Sequence, residues 1–462
     1  MPWNRWYSLN SYLKSALWIV PFFALVIGRA VKYLSEKLGG WMVSQGFYDT
    51  KTGFLGLSPA EAVAFLDRIF TMNLSFMVFT FGSLLVAIQV AGGQYTSRII
   101  ATTLLRDNVI RWIVGLFVFS MVWANRTMIQ VSEREVPQFQ LFIAGLLGLA
   151  SLVAFLLLID YSAKLLRPVA LVGRVGEHGI AVIESVYPYP TRDVTAPTAS
   201  TEPAKKRKWG LLSWGSRDTA TSAARVTKRG PPDRVIHHEG TSGIVLAVNL
   251  QKLVAEAQRA DSVIEVAPQV GDFVAVDDPL FNLYGNVGAI DDRRLRTLVA
   301  LGSERTMEQD PMFAFRIEVD IALKALSPAI NDPTTAVLAI DQLHRLLRLV
   351  GKRSLQNHEI TDNAGQPRVV FRTPNWEDFV HITFREIRYS GAGDLQIARR
   401  LRAMIENLMQ TLPAHRHPAL QVELELLDRA LKREHVFPED LALARIADSQ
   451  GLGGSSGATA QN

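Results

Sequence analysis

Four apolar stretches crowd the first third of the chain and leave it few folds to adopt. They are residues 15–31 (SALWIVPFFALVIGRAV), 69–91 (IFTMNLSFMVFTFGSLLVAIQVA), 112–129 (WIVGLFVFSMVWANRTMI) and 139–159 (FQLFIAGLLGLASLVAFLLLI). A helix needs about 20 mostly apolar residues to cross a bilayer core. The second and fourth stretches meet that length; the first and third need their flanks. In lipid every backbone polar group must be satisfied within the segment, so stretches of this kind are helices. The reading is therefore a four-helix transmembrane bundle over residues 1–165. The first stretch is also readable as a signal peptide, although GRA matches the small-x-small cleavage pattern poorly; cleavage would leave three spans. Ser58-Pro59-Ala60-Glu61 opens the second helix as a capping box with Pro at the first helical position.

Positive charge orients the bundle. Arg5 and Lys14 precede the first span, Arg98, Arg106 and Arg111 lie between the second and third, and Lys164, Arg167 and Arg174 follow the fourth. Both termini, and everything after residue 160, are then expected to be cytoplasmic. The polar residues within the spans include Asn73, Thr80, Gln89 and Asn125, and no Asp, Glu or His is among them. That weakens a proton-coupled transporter and leaves a channel open. Ser83, Ala87 and Ala91 recur every fourth residue, and Ala144 and Gly148 do the same. Small residues at that spacing let helices approach closely, inside the bundle or between subunits of a homo-oligomer. Asp160 and Lys164 form an i,i+4 pair at the end of the fourth span.

The remainder reads as a cytoplasmic α+β region, making the chain mainly α as a whole. The fourth helix continues past Pro168 as an extension over 166–186. Residues 187–235 hold ten Lys+Arg against four Asp+Glu, a net of +6. The whole chain carries +5, so the rest sums to 5 − 6 = −1. The basic character is thus one segment, rich in Pro, Ser and Thr and read as a disordered insertion, and not a nucleic-acid footprint. Its Lys205, Lys206, Arg207 and Lys208 suit anionic lipid headgroups or simple solvation. Short β-type runs over 236–290 predict a small β module with a strand–turn pattern like that of biotinyl or lipoyl modules. No lysine stands at a hairpin tip, so no cofactor is attached.

Residues 291–445 read as a helical domain, and 446–462 as a disordered tail. DDRRLRTLVALG predicts a helix ending at Gly302. Asp310-Pro311 and Asp332-Pro333 each supply an N-cap and a proline at the first helical position. The first helix must stop by Ser327, before Pro328; the second carries Ala336, Ile340, Leu343, Leu347 and Val350 on one face and stops at Gly351. SPAIND is the corner between them, and a further helix is expected from Thr373-Pro374. Arg305, Asp310, Ser327, Asn331 and Asp332 are the candidate ligand or gating corner. An anion held by exposed N–H groups, with Arg305 and Lys324 near, stands against the alternative that Asp332 already occupies those donors.

LSFMVFTFGSLLVAIQ (74–89), YTSRII, GDFV and LGSERTMEQDPMFAFRIEVDIALKALSPAINDPTTA (301–336) together resemble the bacterial predicted-membrane-protein family catalogued as domain of unknown function 2254. The resemblance covers roughly residues 10–440 and implies a multi-span protein of the bacterial inner (plasma) membrane with a cytoplasmic domain and no assigned catalytic residue.

There is no cysteine, hence no thiolate nucleophile or Cys-ligated metal. His237-His238 are adjacent, His415 and His417 flank one residue in a loop, and Glu304, Asp310 and Asp332 make a loose acid set. None forms a metal signature, and no phosphate-loop or hydrolase motif occurs. The expectation is no enzyme, no metal and no cofactor. An oligomeric channel or permeation protein gated by its cytoplasmic domain comes first. A membrane-anchored sensing or interaction module is the alternative, and an enzyme acting on lipid or phosphate comes third.

Overall fold

A computed structural model describes residues 2–16, 18–45, 57–94, 107–132, 136–165, 167–191, 230–355, 359–362 and 364–453. The chain divides into two compact units, one of residues 12–171 and one that joins residues 1–11 to residues 172–462.

The first unit is a helical bundle. It contains α2 (Ile19–Ser44), α3 (Pro59–Gln94), α4 (Asn108–Gln130) and α5 (Gln138–Leu165). The capping box forms as expected, with Ser58 N donating to Glu61 Oε2 at 2.8 Å and Glu61 N to Ser58 Oγ at 3.4 Å. α4 is the central helix, packing against α2, α3 and α5. Asp107 caps it by accepting from Val109 N and Ile110 N. Glycines let α2 lie close: a Cβ at Gly115 would stand 2.8 Å from Val20 Cγ1, and one at Gly28 3.3 Å from Phe119 Cδ2. Three helices among the described residues are long and apolar enough to cross a membrane, within α3, α4 and α5. The expected first span falls in α2 and is not among them. Its apolar run ends early, because Arg29, Lys32, Glu36 and Lys37 follow within three turns.

The second unit begins with α1 (Trp3–Ser15) through Ser11, so the extreme N-terminus does not belong to the bundle. The helix expected to run past Pro168 is interrupted there. Proline cannot donate to the preceding turn, and α6 (Pro168–Val186) starts afresh. The insertion is narrower than 187–235. Tyr187 is buried, Thr191 N donates to Lys352 O, and β1 (Arg234–His237) is a strand. Lys205 to Lys208 lie outside the described residues.

The β module is larger than 236–290 and holds two sheets. β1, β5 (Pro279–Gly285), β3 (Ser262–Val266), β8 (Pro367–Val370) and β7 (Glu359–Thr361) form the first in that order. The last two strands come from the region expected to be helical. β3 and β8 pair in parallel, Ile264 opposite Val369. β4 (Phe273–Val274), β2 (Gly243–Val248) and β6 (Val299–Gly302) form the second. The helix expected to reach Gly302 is only α8 (Asp292–Arg296), because Val299–Gly302 pairs with β2. α7 (Leu250–Ala260) follows β2, and its Leu253, Val254 and Ala257 share an apolar core with Phe281 and Leu283.

The helical layer comprises α9 (Pro311–Ala325), α10 (Pro333–Gly351), α11 (Trp376–Gly391), α12 (Leu395–Thr411), α13 (His417–Glu434) and α14 (Pro438–Ala444). α11 starts after Asn375, not at Thr373, because Asn375 and Asp378 make a capping box. Residues 446–453 are ordered rather than part of a loose tail. Asp448 accepts from Gln450 N, Gly451 N and Gly453 N, while Arg399 donates to Ile446 O and Gly453 O.

Candidate functional site

α9 is buried on almost every side, between α10, α11 and the glycine face of α6. A Cβ at Gly179 would stand 2.9 Å from both Ala314 Cβ and Leu346 Cδ2. Its start is built as the sequence predicts. Asp310 Oδ1 accepts from Phe313 N at 3.1 Å, and Oδ2 accepts from Arg305 Nε at 3.0 Å. The Arg305 guanidinium also lies 5.8 Å from the Phe313 ring centroid. Burial pushes the Asp310 carboxyl up to about 6, with Arg305 pulling the other way. Gly271, at φ +94, passes so close that a Cβ there would overlap both Arg305 and Asp310.

The far end of α9 is the SPAIND corner. Ser327 Oγ donates to Lys324 O at 2.7 Å, and Asn331 takes the left-handed conformation at φ 49. Asp332 Oδ1 accepts from Thr335 N at 3.1 Å, and Oδ2 from Thr335 Oγ1 at 2.5 Å. Asp332 thus takes the Thr335 donor at the start of its own helix. Arg305 is not near it. With 15 residues in α9, the two ends stand about 22 Å apart. The candidate set is therefore two caps: Arg305 with Asp310, and Ser327 and Asn331 with Asp332.

The residue that stands out was not among the candidates. Glu318, midway along α9, is 0% exposed. Neither of its carboxylate oxygens has a hydrogen-bond partner among the described residues. Burial pushes its carboxyl well above the usual range. Glu386 on α11 shows the ordinary solution: Arg316 of α9 grips both its oxygens at 2.5 and 3.0 Å and holds its carboxyl below the usual value. At a spacing of three and four, Met312, Phe315, Val319, Leu323 and Leu326 make one apolar stripe along α9, and Glu318 lies off it. Only the wrapping of α9 by three neighbours buries it. Tyr187 on the same unit is also enclosed, donating to Pro374 O at 3.2 Å, and burial raises its hydroxyl.

Three of the candidate histidines are held by backbone carbonyls. His237, His238 and His417 ring nitrogens lie 2.7, 3.0 and 2.9 Å from the carbonyls of Asp277, Thr241 and Leu412. Among the described residues no group of three or more His, Asp or Glu converges as a metal site.

In the bundle, Asn73 Nδ2 donates to Ile69 O at 2.8 Å and to Ser120 Oγ at 3.2 Å. Its Oδ1, and Ser151 Oγ, are buried without a partner among the described residues. Lys32 Nζ turns inward to Thr127 Oγ1 at 3.0 Å, over the Trp123 ring. Of the small residues, Ala144 is buried against α3, and a Cβ at Gly148 would stand 3.2 Å from Ile69 Cγ1. Ala87 is buried, Ser83 bonds to Thr80 O at 3.0 Å, and the Ala91 side chain lies outside the described residues.

The family model described as Predicted membrane protein (DUF2254) matches residues 14–407. The chain belongs to that family. An uncharacterized protein of Mycobacterium bovis and two of Mycobacterium tuberculosis are similar to it. Each is 24% identical over 454 residues, covering 95% of this chain and 81% of the relative. No solved structure matches the chain. This family member is a membrane protein with, among the described residues, three helices of spanning character and a large second unit.

Proposed function

We propose that this family member is a four-pass inner-membrane protein that holds a cytoplasmic sensing module, and that it catalyses no reaction. The four-pass topology is supported by parity. Residues 1–11 pack in one compact unit with residues from 172 onward. Asn4 N donates to Thr297 O at 3.1 Å, and Tyr7 shares a core with Leu246, Ala247 and Ala300. A chain whose two ends meet on one side crosses an even number of times, so three spans need a fourth, and α2 is the helix available. At 26 residues it is about 39 Å long, against a core of about 30 Å. Its Lys32 is turned into the bundle, as an ionisable group in a span usually is. The distribution of positive residues supports cytoplasmic termini.

Glu318 carries the sensing reading. A fully buried carboxyl without a partner is a standing cost that a purely structural core would not keep. It makes the packing of α9 against α10 and α11 responsive to protonation or to a bound partner. The test is hydrogen exchange of the full chain in nanodiscs across the range from about pH 5 to about pH 8. The wild type loses protection of α9 as pH rises, and Glu318→Gln removes that dependence. Equal exchange of both proteins at every pH would sink the reading.

A second reading, an oligomeric permeation protein, is favoured by the unpartnered Asn73 Oδ1 and Ser151 Oγ inside the bundle. Polar atoms there are costly unless water or an ion meets them. Purified protein that stays monomeric and gives no conductance in planar bilayers removes it.

A further inference from the structure

α1 carries apolar side chains both toward the sheet and away from it. Its inward side presents Trp3 and Tyr7, which pack on Ile244, Leu246, Ala247 and Ala300 of β2 and β6. Its outward side presents Trp6, Leu9 and Leu13, which are 53%, 44% and 40% exposed, with Arg5 beside them. The spacing of three and four puts those three apolar residues in one stripe. A helix resting on a sheet in water would keep that outward side polar.

The sheet extends the same surface. Phe273 of β4 stands opposite Ile244 of β2. Side chains directly opposite across two strands share a face, so Phe273 lies on the face that α1 covers. It is nevertheless 66% exposed, and Val276 beyond it is exposed too. The chain then leaves α1 at Ser15 and enters α2 at Ile19, whose first turns expose Phe22 and Phe23 after Trp18. Only residues 16–18 separate α1 from α2, the helix proposed above as the first span.

We propose that the outward face of α1, together with Phe273, lies in the headgroup layer of the bilayer. Trp and Leu fill the acyl boundary there, and Arg5 meets lipid phosphate. This is the arrangement of an interfacial helix, whose binding scales with buried apolar area plus attraction to anionic lipid. Such a helix clamps the three-stranded sheet to the membrane surface. The clamp is separate from the role given to Glu318.

The chain has no cysteine, so single-cysteine variants report one position each. Leu9→Cys, Leu13→Cys and Phe273→Cys, with Lys252→Cys on the exposed side of α7 as control, are labelled with an environment-sensitive fluorophore. The full chain is reconstituted in vesicles of mixed zwitterionic and anionic phospholipid. Labels at 9, 13 and 273 emit to the blue of the control and are quenched by lipids carrying a nitroxide near the headgroup. Emission at 9 and 13 matching that at 252 overturns the proposal. So does a blue shift without lipid quenching, which would mean that a second copy of the chain covers the face.

Discussion

Replacing Glu318 by leucine removes the one fully buried acid of α9 while nearly conserving its volume. An unmade hydrogen bond in a dry site costs about 1–3 kcal/mol, and both oxygens of Glu318 are in that position. Relief of that cost predicts a gain on the order of 1–3 kcal/mol for the second unit at neutral pH. In a domain of this size about 1 kcal/mol moves Tm by about 2–4 °C. The sign with pH is fixed by the direction of the shift. Burial raises the Glu318 carboxyl above its ordinary value of 4.5 in the folded state. The native state therefore binds the proton more tightly than the unfolded chain. Stability from this group is fully present below the unfolded value and declines as pH rises toward the folded one. Glu318→Leu has no such group, so its advantage over the wild type widens with pH. Intrinsic-fluorescence melting of the full chain in nanodiscs reads this from about pH 5 to about pH 8. A lower Tm for the variant, or an advantage that is the same at every pH, refutes the reasoning.

The other end of α9 gives two further predictions, read by the same melts. Asp310→Ala removes the N-cap and costs about 0.5–2 kcal/mol, since the Arg305 left behind is partly exposed; Asp310→Asn keeps an oxygen for Phe313 N and costs less. The Asp310 carboxyl is raised to about 6 in the folded state from 3.8, so its contribution falls as pH rises between those values, and Asp310→Asn flattens the profile there. Gly271→Ala forces a Cβ into Arg305 and Asp310 at a φ of +94, which destabilises by about 1–3 kcal/mol.

Local chemistry was legible and distant pairing was not. Asp310-Pro311, Asp332-Pro333 and Ser58 with Glu61 mark helix starts in the sequence because a cap is settled by three or four neighbouring residues. Val299–Gly302 reads as the end of a helix because its strand character comes from β2, some fifty positions earlier. β7 and β8 join a sheet whose other strands end at Gly285, well before β7 begins at Glu359. Residues 446–453 look loose until Arg399 and Asp448 tie them down. The candidate corner suffered in the same way. Arg305 and Asp332 are close in sequence terms, yet a straight helix holds them apart. Glu318 is inconspicuous in PMFAFRIEVDIALKA, since its burial needs three other helices.

The packing of α1 on β2 and β6 was the least readable contact, and the topology depends on it. Its direct test is the sidedness of three single cysteines in sealed cells, read with a membrane-impermeant maleimide. Arg5→Cys and Lys252→Cys should react only after the cells are opened, and Gln45→Cys, just beyond α2, should react from outside. Reaction of positions 5 and 45 from the same side would mean that α2 does not cross, and the four-pass account would fall.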